Sequence, residues 1–205
     1  MSTRLQIRSA EGDRMIQVQN GRLHYNWLRQ EGRKYPEYRE LRPAFDRALE
    51  AFRQFLLEER PGDVQPEQWV FRPNQWEVSY VNHIPRGPVW NRLADCAELF
   101  RVRPLLETTP GGTMLESFGG EWHYEIPPKR GRLHVHLQHG RLPSPESTEL
   151  LILNLTARGP IGDNKEGGLD LDEGLNLGHN VVVRAFYDLT SDSAHDYWGL
   201  IHGSA

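Results

Sequence analysis

The sequence predicts an α+β fold: a mostly antiparallel sheet, one long helix over about residues 37–59 and a C-terminal helix packed on the sheet. Three observations predict it. Several runs alternate apolar and polar residues at the two-residue period of strands, such as Leu133-His134-Val135-His136-Leu137. Between Tyr38 and Leu56 the apolar residues instead recur at three- and four-residue steps, as one stripe of a helix does. Gly, Pro and Asn clusters punctuate both kinds of run. A chain of 205 residues with six Trp, seven Tyr and seven Phe can fill one core, so a single domain is expected, with two pseudo-repeated halves at about 1–105 and 106–205.

In chain order, Met15–Gln19 and Arg22–Trp27 flank Asn20-Gly21, the strongest short hairpin signal. The long helix follows Tyr35-Pro36-Glu37. It is striped by Tyr38, Leu41, Phe45, Leu49, Phe52, Phe55 and Leu56 and stopped by Pro61-Gly62-Asp63. Pro43 predicts either a boundary in the first turn or a short lead-in turn. Gln75–Ile84 reads as a strand, and Trp90–Phe100 as a shorter helix ending near Pro104. After the turn Thr109–Gly112, strands are expected around Met114–Phe118, Glu121–Ile126, Gly131–His139 and Glu149–Ala157. A Gly- and Asp-rich loop over Gly159–Gly174 then leads into a helix through Leu175, His179, Val182, Phe186 and Leu189, with Asp172 as its cap.

Glu77–Pro88 aligns without a gap on Glu149–Pro160, matching Glu, Asn and Arg-Gly-Pro, and Gly21-Arg22-Leu23-His24 recurs as Gly131-Arg132-Leu133-His134. Two related β units sharing one sheet are therefore expected. The alternative is turn chemistry recurring by coincidence.

The formal charge of −4 argues against nucleic acid as the main partner, since Lys129–Arg132 and Arg101–Arg103 are only short basic clusters. The lone Cys96 cannot form an internal disulfide, and the first residues lack a signal-peptide layout, so a cytoplasmic address is expected. No apolar run approaches the roughly 20 residues of a membrane helix.

Chemistry is sparsely signalled. No phosphate-binding Gly loop, dinucleotide fingerprint, HExxH or nucleophile elbow occurs, so no organic cofactor is implied. His134 and His136 fall on one face of a strand, and with His123 they could ligate a metal ion. The acidic residues Glu121, Glu125 and Glu149 have no motif spacing to complete a site, and solvent-facing histidines are the ordinary alternative. His179 lies on the apolar stripe of the last helix, which fits a hydrogen-bonded residue at the core edge, and Cys96 fits a small buried hydrophobe. The acidic run Asp163–Glu173 lacks the ligand order of a calcium loop. Asn82 and Asn154 occupy equivalent repeat positions. They either stitch the sheet or line a shared polar pocket, and the habit of buried polar groups to bond nearby backbone favours stitching.

Gln17-Val18-Gln19, Asn26-Trp27, Tyr35-Pro36-Glu37-Tyr38 and Tyr80-Val81-Asn82-His83 together resemble a sporadically distributed family of uncharacterised prokaryotic proteins, with looser similarity toward Tyr197-Trp198-Gly199. The resemblance implies no activity and assigns no catalytic residue. Similar proteins carry a further N-terminal apolar segment, so the Gln-Val-Gln strand here is expected to leave a sheet edge exposed to a protein partner or a second copy.

The leading expectation is a non-catalytic binding or accessory module, with Asn82, Asn154, Trp27 and Tyr80 as ligand contacts and Tyr25, Trp76 and Trp122 as further aromatics that could reach a ligand. The competing expectation is a metal-dependent enzyme in which His134 and His136, with His123 or a carboxylate, activate water.

Overall fold

A computed structural model describes residues 4–19, 21–30, 32–59, 65, 70–100, 119–142, 147–162 and 168–200. The fold is α+β with two antiparallel sheets, and the chain divides into two compact units, Met1–Arg72 and Pro73–Ala205.

The first unit holds a three-stranded sheet of β1 (Leu5–Arg8), β2 (Arg14–Gln19) and β3 (Arg22–Trp27), followed by helix α1 (Tyr38–Glu58). The predicted hairpin is present: Gln19 pairs with Arg22, and Gly21 takes the positive φ of 70° that such a tight turn requires. Asp13 anchors the preceding β1–β2 turn, accepting from Arg14 Nη1 and Arg33 Nη1, each at 3.0 Å. The edge expected at the Gln-Val-Gln strand is occupied by β1, whose Leu5 pairs with Val18, so β2 is the central strand. α1 starts at Tyr38 and continues through Pro43 rather than beginning at it.

The second unit holds a four-stranded sheet in the order β4–β7–β6–β5, formed by β4 (Gln75–Pro85), β5 (Gly119–Ile126), β6 (Gly131–Arg141) and β7 (Glu149–Pro160). The helix expected over Trp90–Phe100 is reduced to a 3₁₀ turn, Leu93–Asp95, and one α turn, α2 (Cys96–Leu99). Its start is tied down locally, because Asp95 accepts backbone N–H bonds from Asn91 at 3.0 Å and Arg92 at 2.8 Å.

The C-terminal helix α3 (Leu171–Leu189) begins earlier than expected, capped by Asp170 rather than Asp172: its carboxylate accepts the Glu173 N–H at 2.8 Å. α3 packs on β4 and β7, and the close approach has a visible cause. Gly174 and Gly178, one helical turn apart, sit over the Trp76 ring, and a Cβ on Gly178 would lie 2.8 Å from it. α4 (Asp192–Trp198) follows as a separate helix carrying the fully buried His195, which bonds Thr190 Oγ1 at 2.7 Å. No helix among the described residues is long and apolar enough to cross a membrane.

The one shared sheet expected from the sequence similarity is replaced by two. β6 lies beside β7, whereas β3 and β4 belong to different sheets, so the paired Gly-Arg-Leu-His segments do not hold equivalent places. The strands that carry the aligned Asn82 and Asn154, β4 and β7, instead pair with each other. The Met114–Phe118 strand, the turns at 61–63 and 109–112, Pro104, the basic cluster at 101–103 and the first part of the acidic run, 163–167, lie outside the described residues.

Candidate functional site

Strand alternation gives the four-stranded sheet two faces. The face against α3 carries Trp76 and Ile84 of β4, Leu133, Val135 and Leu137 of β6, and Leu151, Leu153, Leu155 and Ala157 of β7, all buried. The residues between them point to the other face, which α3 leaves uncovered. Cross-strand pairing sets those residues in rows: Glu121–His136–Asn154–Val81, His123–His134–Thr156–Ser79, and Glu125–Arg132–Arg158–Glu77. Val81 is 57% exposed there, in keeping with an open surface.

The β5–β6 hairpin fixes the rows. Its turn runs through Pro127-Pro128-Lys129-Arg130, closed by the Arg130 N–H to the Ile126 carbonyl at 2.8 Å. Gly131 opens β6 at a φ of 154° with the Arg158 carbonyl against it, leaving no room for a side chain. A shift of register by one residue would turn every histidine of the hairpin to the opposite face.

At the centre of the open face the rings of His123 and His134 meet edge to face, with centroids 4.4 Å apart. His123 Nε2 lies 3.1 Å from Glu121 Oε1. That hydrogen bond is the main reason the Glu121 carboxyl sits below the usual carboxylate range. The metal-binding atoms of Glu121, His123 and His134 all lie within 4.8 Å of one another. Arg158 Nε donates to His134 Nε2 at 3.0 Å. A guanidinium can only donate, so Nε2 carries the lone pair and the ring proton is on Nδ1. Burial first, and then the Arg158 charge, hold the His134 pKa below its ordinary value. Beside this cluster, Ser79 Oγ and Thr156 Oγ1 are 2.7 Å apart, and Thr156 Oγ1 donates to Asn154 Oδ1 at 3.2 Å.

The chain matches no known protein family, curated protein or solved structure.

The expected site residues are therefore only partly assembled. His123 and His134 come together across two strands. His136 shares their face but stands opposite Glu121, outside the three-residue ligand set. Asn82 and Asn154 do not line one pocket, because β4 and β7 are antiparallel: Asn82 pairs with Leu153, and Asn154 with Val81, which puts the two amides on opposite faces. Asn82 stitches the sheet instead, donating from Nδ2 to the Leu153 carbonyl at 3.3 Å. Tyr80 turns to the covered face, its hydroxyl 3.1 Å from His179 Nδ1. Trp76, only 1% exposed, is core. Trp27 belongs to the first unit, where it meets Tyr35 edge-on with ring centroids 4.9 Å apart.

Arg158 and Thr156 were not singled out by the sequence. The signal for Glu121 was present in the hairpin register: centred on the Pro128-Lys129 turn, it sets Glu121 two residues from His123 on the face shared with His134. A separate groove of about 710 Å³ between the hairpin turn and α3, bounded by Pro128, Arg130, Glu173 and Asn176, contains none of these residues.

Proposed function

We propose that the chain is a binding module without catalysis of its own, working through the open face of its four-stranded sheet. The observation that carries this reading is the row structure of that face. Three adjacent strands turn His123, His134, His136, Asn154, Thr156 and Arg158 outward, while their alternate residues fill the core. A polar face built from neighbouring strands can hold many donors and acceptors at fixed spacing, which suits recognition of a polar ligand. Cys96, buried and with its thiol pKa pushed up to about 12 mainly by burial, fits a structural role in a cytoplasmic setting, which the reading includes.

A second reading, a metal-dependent enzyme, is favoured by one observation only, the Glu121–His123–His134 cluster, since two imidazoles and a carboxylate can leave coordination positions open for water. Native mass spectrometry of the purified chain against its denatured mass tests the leading reading. An excess mass is expected that His134→Ala combined with Asn154→Ala removes. An excess that survives both substitutions would place the ligand elsewhere. Turnover of activated phosphate or carboxylate esters, abolished by a chelator and restored by metal, would move the assignment to the second reading.

A further inference from the structure

We infer that Glu121, His123 and His134 form a divalent transition-metal site in which Arg158 competes with the metal for His134. The inference rests on the reading of the open face as a binding surface and names its ligand.

Two neutral imidazole nitrogens and one carboxylate oxygen are the donor set of zinc, cobalt and nickel sites rather than of calcium or magnesium, which take oxygen ligands. Here the three donors come from adjacent strands on one face, within 4.8 Å of one another, so a single ion can draw all three in by side-chain rotation alone. Glu121 supplies the negative charge, and water completes the coordination from the solvent side, where Glu121 is 61% and His123 48% exposed. His136 is left outside.

The competition follows from imidazole chemistry. A neutral ring has one lone pair, and Arg158 Nε already engages it at His134 Nε2. A metal arriving at Nε2 must displace the guanidinium. A metal arriving at Nδ1 needs the ring proton moved to Nε2, where it would point at the Arg158 N–H. Either route breaks the same hydrogen bond. A displaced Arg158 has somewhere to go, because Glu77 stands across from it on β4 on the same face, while Arg132 flanks it on β6. Metal binding therefore releases a cation beside the ion, and that cation is placed to hold an anionic group bound to the metal.

The test is titration of the full chain with zinc by calorimetry, and with cobalt by its visible absorption. One saturable site per chain is expected. His123→Ala and His134→Ala should each weaken it at least tenfold, the usual scale for loss of a metal-site group, and His136→Ala should leave it within about twofold. Arg158→Met should tighten zinc binding by roughly tenfold, as expected for removing a competing charged hydrogen bond, and should have no such effect in a His134→Ala background. Far-ultraviolet circular dichroism of each variant separates these effects from unfolding.

Loss of the site on His136→Ala with retention on His123→Ala would overturn the cross-strand assignment in favour of two histidines of one strand. Weaker binding by Arg158→Met would overturn the competition. Absence of saturable zinc or cobalt binding would overturn the metal site altogether. A copurified mass that still depends on His134 would in that case leave the open-face reading standing, so the two ideas can fail separately.

Discussion

On the α3 side of the four-stranded sheet, Trp76, Val135, Leu151, Leu153 and Leu155 are almost wholly removed from water. On the other side the same strands present His134, Asn154, Thr156 and Arg158, joined to one another and to neighbouring strands by side-chain hydrogen bonds. Each strand thus fills the core with one set of residues and builds the polar open face with the next. The difference teaches where change is tolerated: apolar burial gives the α3 face its stability, at about 25 cal/mol per Å² of surface removed from water, while exposed polar pairs contribute little.

Adjacent residues of β7 offer the sharpest way to break this comparison. Leu155 is fully buried, so Leu155→Ala is expected to cost about 3 kcal/mol through lost burial and the cavity left behind. Its neighbour Thr156 points the other way, bonded to Asn154 and Ser79, and Thr156→Ala should cost no more than about 1 kcal/mol. Urea unfolding followed at the amide signals of β6 and β7 reads both. Equal costs would mean that the open face is covered and carries core packing of its own.

The next effect tests how α3 is seated. Gly174 lies so close to the Trp76 indole that an added methyl group would overlap the ring, and Trp76 is itself held in the core. Overpacking of this kind costs about 1–3 kcal/mol, against a gain of about 1 kcal/mol for replacing Gly by Ala within a helix. Gly174→Ala is therefore expected to destabilise by up to about 2 kcal/mol in the same unfolding measurement, and Trp76→Leu in the Gly174→Ala background should recover part of the loss. Stabilisation by Gly174→Ala alone would show that helix propensity, not the seat against Trp76, governs this position.

The two faces were unequally legible in the sequence, for a physical reason. Alternation is a local property, so Leu133, Val135 and Leu137 separated from His134 and His136 without any knowledge of the neighbouring strands. The stripe of α1 and the Asn20-Gly21 turn are local in the same sense, and both elements fall within a residue or so of where they were expected. What could not be read depends on partners far along the chain. Arg158 reaches His134 across 24 residues, and Tyr80 reaches His179 across 99. Gly174 and Gly178 weaken a helix on propensity alone, and only the Trp76 ring explains them. Short β1 has no fully buried residue to announce it, although it occupies the edge where an open strand was expected. The likeness between the β4 and β7 segments pointed to equivalent places in one sheet, but antiparallel pairing puts their asparagines on opposite faces.

The smallest effect concerns pH and isolates the covered face. His179 sits on α3 against Tyr80, and burial holds its pKa below the ordinary 6.5. The folded chain therefore binds fewer protons at this ring than the unfolded chain does in the range between the lowered folded pKa and the ordinary unfolded value. Stability is full above about pH 6.5, the unfolded histidine range, and is lost as the pH falls toward the lower folded pKa. His179→Gln keeps a side chain able to accept from the Tyr80 hydroxyl and cannot be protonated in this range. The variant is expected to show a shallower loss of stability between neutral and mildly acidic pH than the parent chain. An unchanged slope would mean that the acid sensitivity arises elsewhere, with the open face as the next place to look. A shallower slope would assign that part of the pH dependence to the face that carries the fold.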